Sequence, residues 1–122
     1  MSSDFSKRDA DIIRHMARYC GEIDAALAAF GDSEAVFMQN PVFRNAVSMP
    51  VQQIGELATH MTDAFLAEHG EIPWKQIKGM RTWFAHQYWN LNYATVWATA
   101  MEDIPVLKAQ CERLLADESI EE

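Results

Sequence analysis

The chain has 122 residues, 49% hydrophobic and 23% charged with five Gly and four Pro, which suits one compact core and excludes a disordered or fibrous protein. Eighteen acidic against ten basic residues give a net charge of −8, which repels polyanions at long range and excludes a general nucleic-acid-coating protein. No run approaches the roughly 18 apolar residues that cross a bilayer, so no membrane partner is expected.

In chain order, Ile12, Met16, Tyr19, Ile23, Leu27 and Phe30 recur at alternating steps of four and three, which predicts a helix from about Lys7 to Phe30 stopped by Gly31. Asp32 or Ser33 is placed to cap a short turn through Met38. Asn40-Pro41 then reads as a capped start with proline at the first helical position. Phe43, Val47, Val51, Ile54, Ala58, Met61 and Phe65 carry a second long helical pattern to His69-Gly70. Pro50 inside it predicts a kink over Ala46 to Pro50, or two helices in place of one. Ile72-Pro73 restarts the chain, and Trp74, Ile77, Met80 and Phe84 form the apolar side of a helix whose other side holds Lys75, Lys78 and Arg81.

Asn90 to Asn92 reads as a break, with Asn92 capping a helix through Tyr93, Val96, Trp97 and Ala100. Pro105 is expected to kink or restart it before Val106, Leu107, Cys111, Leu114 and Leu115 complete the pattern, and the acidic tail from Asp117 to Glu122 is expected to fray. No period-two pattern or repeat occurs. The expected fold class is therefore all-α, an antiparallel four- to five-helix bundle in a single domain over residues 1–122 with its core at about 7–115.

Cys20 and Cys111 lack any C-x-x-C or Cys/His spacing and read as buried thiols in a reducing cytoplasm. Met1 to Arg8 is polar with no apolar stretch behind it, so no signal peptide is expected either. Gly-rich phosphate loops, H-E-x-x-H and G-x-S-x-G are absent, and neither a metal site nor a cofactor is expected.

The segment GMRTWFAHQYW, Gly79 to Trp89, concentrates the chemistry: a permanent cation at Arg81, an imidazole at His86 and a phenol at Tyr88. It lies in a stretch from Ile72 to Met101 with no Asp or Glu, where an acidic chain can still meet RNA locally. Cutting an RNA phosphodiester needs a base for the 2′-hydroxyl proton, an acid for the leaving oxygen and a cation for the charge on phosphorus. His86 suits either proton task and Arg81 the last. Arg81 and Tyr88, seven apart, share a helix face, whereas His86 stands about 140° from Arg81 on an ideal helix. For the two to converge, Arg81 must reach round or the helix must loosen near His86. Spacing alone also admits a helix-end histidine bonded to a carbonyl and an arginine paired across the bundle; Arg8 and His15 show how easily such pairs arise.

The tryptophans Trp74, Trp83, Trp89 and Trp97 read as core or dimer surface ahead of base stacking, and His15, His60 and His69 as ordinary surface or core-edge residues. Glu56, after Gly55, either lines the cleft or pairs with Lys78 or Arg81. Lys75 and Lys78 either form a solvated face or steer phosphates.

The blocks PVFRNAVSMPVQQIGELATHM and EIPWKQIKGMRTWFAHQYWNLNYATVWATAMEDIPVLKAQCERLL, with IGE, IPW-x-x-I-x-GMR, H-x-Y, VW and D-x-P-x-L in order, resemble the HepT-like ribonucleases of the HEPN superfamily over about Lys7 to Leu115. The resemblance implies a metal-independent RNA endonuclease, the toxin of a toxin–antitoxin pair of type VII kind, acting as a homodimer whose two Arg/His sites face a shared cleft. It implies as partner a minimal nucleotidyltransferase that silences the toxin by adding AMP to the tyrosine of Arg-x4-His-x-Tyr. Those positions are Arg81, His86 and Tyr88, with Thr82, Lys78 and Glu56 as supporting candidates and RNA, not DNA, as substrate. Thr82 stands where the family usually has Asn, which removes an amide and leaves open a second reading, a HEPN module that binds RNA, nucleotide or the nucleotidyltransferase without cutting.

Overall fold

The computed structural model describes residues 6–87 and 91–121, and every regular element among them is helical. They are α1 (Lys7–Phe30), α2 (Glu34–Gln39), α3 (Pro41–Ala58), α4 (Asp63–Glu68), α5 (Trp74–Gln87), α6 (Tyr93–Ala98), a π-helical turn (Thr99–Asp103) and α7 (Ile104–Glu121). The expected all-α bundle is what forms. The head of α1 meets the end of α3 (Arg8 Nε to the His60 carbonyl, 3.0 Å), and its end meets the head of α3, where Phe30 stacks on Phe43 at 4.9 Å. The two helices are therefore antiparallel. Lys108 of α7 reaches Asp24 of α1 at 2.7 Å, and α3 lies in turn against α5, so α1 and α3 form the middle of the bundle.

Five of the seven α-helix starts follow from a polar cap. Ser6 accepts from the Asp9 amide, Ser33 from Val36, Asn40 from Val42 and Phe43, Thr62 from Phe65 and Asn92 from Thr95, each satisfying first-turn donors that the helix cannot. Gly31 ends α1 at φ 91°, a left-handed-side conformation that other residues avoid, and its N–H returns to the Leu27 carbonyl at 2.8 Å. Behind these ends lies one contiguous core in which Ile13, Met16, Ile23, Phe37, Phe43, Val47, Val51, Ile54 and Phe65 are fully buried. Phe37, Phe43 and Trp97 pack edge-on or tilted at its centre.

Two expectations need correcting. The helix α3 runs through Pro50 without interruption, and the chain breaks instead at Thr59 to Thr62. There Thr59, His60 and Met61 donate to carbonyls only three residues back, tightening the end of α3, and the Thr62 amide turns to Asp9 Oδ1 at 3.0 Å. Pro105 restarts the helix as expected, since α7 begins at Ile104 after a π-helical turn in which the Ile104 N–H reaches back five residues to Thr99. The tail does not fray at Asp117, because α7 continues to Glu121.

Asp9 is the polar exception inside the core. Its carboxyl group is wholly buried and takes hydrogen bonds from the Ser6 hydroxyl (2.9 Å), the Thr62 amide (3.0 Å) and the Thr62 hydroxyl (2.7 Å). Asp9→Ala would leave buried donors unmatched at about 1–3 kcal/mol. A thermal melt should show a fall of roughly 4–12 °C, with Asp9→Asn between the two. A melt equal to wild type would show that this joint contributes nothing.

Candidate functional site

Arg81 projects from α5 opposite the last turn of α3. Two residues of α3 decide its position. Gly55 is buried at the crossing, and a Cβ built there would lie 2.8 Å from the Arg81 backbone nitrogen, 3.0 Å from the Ile77 carbonyl and 3.2 Å from the Met80 Cβ. Only glycine lets the helices approach so closely. The next residue, Glu56, then faces the guanidinium, with Oε1 3.1 Å from Arg81 Nε. Of the two partners open to Glu56 on sequence grounds, the fold selects Arg81 and not Lys78.

The other carboxylate oxygen of Glu56 lies 3.2 Å from His60 Nε2, one helical turn on. Glu56 therefore joins Arg81 to a histidine that sequence reasoning set aside, although the Glu-x-x-x-His spacing was a readable signal. All three side chains are about half exposed, so each pairing is worth at most about 1 kcal/mol. Such a contact orients Arg81 without withdrawing it from solvent, and a phosphate can compete for it.

Thr82 is exposed, and its hydroxyl donates to the Gly79 carbonyl at 2.7 Å, so its one proton is spent inside α5 while the oxygen can still accept. Lys75 is exposed and Lys78 half-buried on the same helix. His86 is the penultimate residue of α5, whose helical backbone is continuous from Arg81 to Gln87. The loosening considered for convergence thus does not occur before Gln87. On an ideal helix five residues put the two Cα atoms about 9 Å apart and about 140° round the axis. Tyr88 and Trp89 lie outside the described residues, as do the side chains of Trp83 and His86.

The remaining candidates serve structure. Trp74 and Trp97 are buried in the core, Trp74 donating to the His69 carbonyl at 2.9 Å. His69 packs on Phe65 and lies 3.7 Å from Glu71. Cys20 and Cys111 are free, and burial pushes both thiols up to about 12, too high for a nucleophile at neutral pH. Among the described residues no group of three or more His, Cys, Asp or Glu could hold a metal ion, and no helix is long and apolar enough to cross a membrane. A cleft of about 100 Å³ between α5, the π-helical turn and α7 is lined by Ile77, Met80, Thr99, Ile104 and Leu107 with Asp103 as its sole charge. It repels a phosphate and contains none of the candidates.

Comparison with known proteins identifies the family of the chain. The family model "Ribonuclease HepT-like" matches residues 11–114, and the chain belongs to that family. It is 34% identical over 82 residues to a protein named "Putative RNase" from Caldanaerobacter subterraneus subsp. tengcongensis, covering 67% of this chain and 73% of that one. A similarly named protein of Methanocaldococcus jannaschii is 33% identical over 81 residues, 66% of this chain and 70% of the relative. A "Probable ribonuclease HepT" of Thermococcus cleftensis is 36% identical over 69 residues, 57% of this chain and 63% of the relative. No solved structure matches the chain.

Proposed function

We propose that the protein is a metal-independent RNA endonuclease that acts as the toxin of a toxin–antitoxin pair in the cytoplasm. The observation that carries this is the family match spanning Arg81-x4-His86, with Arg81 held at the surface by Glu56. In the reaction, the RNA 2′-oxygen gives up its proton and attacks the adjacent phosphorus. The bond to the 5′-oxygen breaks, and that oxygen receives a proton, leaving a cyclic phosphate and a 5′-hydroxyl. His86 handles one of the two protons and Arg81 stabilises the charge on the phosphoryl oxygens.

One α5 offers a single His86 and sets it well round the axis from Arg81. A homodimer that brings two such helices to one cleft supplies the second imidazole and the missing convergence. The test is incubation of the purified protein with single-stranded RNA in EDTA, where cleavage and a dimeric mass by light scattering are expected. Intact RNA at high enzyme concentration sinks the reading.

Control by a minimal nucleotidyltransferase belongs to the same reading. AMP on Tyr88 would place a phosphate two residues from His86, where the substrate phosphate must approach. Intact mass after incubation with that enzyme and ATP should rise by one adenylyl group, and Tyr88→Phe should stay unmodified and active. Unchanged mass in the wild-type chain would remove Tyr88 from the mechanism.

A further inference from the structure

Lys75 and Lys78 have no acidic partner among the described residues, although the chain has eighteen acids for ten bases. Four of the other cations pair with carboxylates: Arg14 with Asp11, Lys108 with Asp24, Arg113 with Glu71 and Arg81 with Glu56. Arg44 donates to the Met38 carbonyl and lies over the Tyr93 ring. Glu71, the acid nearest to α5 in sequence, is taken by Arg113 at 3.2 Å and His69 at 3.7 Å. Asp103 lines the cleft beside Gln76, on a different side of α5 from Lys75 and Lys78. Among the described residues, therefore, no carboxylate pairs with either ammonium group.

Their positions point along the helix to the candidate site. Lys75 and His86 are eleven residues apart, so they lie about 20° from each other round α5 and about 16 Å apart along it. Thr82 falls on the same side, and Lys78 stands between this row and Arg81, about 60° from the latter. A strand with its reacting phosphate at Arg81 and position 86 passes Lys78 and then Lys75 if it follows α5 towards its N-terminus.

We propose that Lys75 and Lys78 bind the phosphates of a single-stranded RNA flanking the cut, so that the strand runs along the exposed face of α5. This rests on the ribonuclease reading for its substrate. Ammonium groups meet phosphates as point charges and carry no base preference, so the contact adds affinity and not sequence selection.

The experiment compares wild type, Lys75→Ala/Lys78→Ala and Lys75→Arg/Lys78→Arg, first in cleavage and then, each with His86→Ala added, in binding of a fluorescent oligouridylate at several salt concentrations. Each lost phosphate contact should flatten the plot of log affinity against log salt by about 0.7, so the alanine pair should lose about 1.4 and the arginine pair nothing. In cleavage, the alanine pair should raise KM several-fold for the oligomer and by less for a dinucleotide, which is too short to extend to Lys75. Equal salt slopes and equal KM in wild type and the alanine pair overturn the proposal while leaving cleavage itself standing. A chain that cuts neither substrate yet binds the oligomer with a lysine-dependent slope refutes the ribonuclease reading and upholds the binding face.

Discussion

Replacing His86 with alanine should lower RNA cleavage by about 10²- to 10⁴-fold, the range for removing a group that transfers a proton in the rate-limiting step. The substitution is mild for the helix. His86 lies within α5, and alanine has the highest helix propensity, so the backbone that carries Arg81 should keep its shape. The loss should appear in kcat with little change in RNA binding, because the imidazole acts on protons and Arg81 supplies the fixed charge. A time course of cleavage of a labelled RNA in EDTA, with circular dichroism as the check on folding, reads it directly. Cleavage unchanged in this variant would move the chemistry away from α5.

The second large effect concerns a residue with no side chain. Gly55→Ala should cost about 1–3 kcal/mol, because the new methyl would press on the Arg81 nitrogen and the Ile77 carbonyl, both backbone atoms that move only with the whole helix. That corresponds to a melting point lower by roughly 4–12 °C. Below the new melting point, cleavage should still fall, by as much as about a hundredfold, since the helices must separate by a large fraction of an ångström where Arg81 meets Glu56. Gly79→Ala provides the control. A Cβ there meets nothing within 4 Å, and removing a mid-helix glycine should leave the protein as stable or raise it by about 1 kcal/mol. If the two variants melt alike, the close crossing of α3 and α5 is not a constraint.

Where the determinants were local, the sequence was sufficient. Helix α1 and its glycine stop, the Asn40-Pro41 start, the Asn92 cap and the boundary at Ile72-Pro73 follow from adjacent residues and form as expected. The break after Ala58 was not legible, because the apolar spacing of Ala58, Met61 and Phe65 continues across it. The acceptor that makes the break favourable, Asp9, lies 53 residues away. Pro50 and Pro105 look alike as helix interruptions, yet one is accommodated in α3 and the other restarts the helix after a π-helical turn. At the site, the residue types of Arg81, His86 and Glu56 were readable. Which cation Glu56 takes depends on how α5 is rotated against α3, and the Gly55 crossing sets that rotation.

The Asp9 joint also ties the opening turn of α1 to the neighbourhood of Arg81. Arg8 grips the His60 carbonyl, His60 touches Glu56, and Glu56 faces the guanidinium, while Asp9 clamps Thr62 just beyond. Three helices thus share one fastening. An affinity handle or fusion partner that prises open the first turn of α1 would disturb the arginine from more than seventy residues upstream, so attachments for immobilisation or labelling belong on the Gly31 corner, at the opposite end of α1.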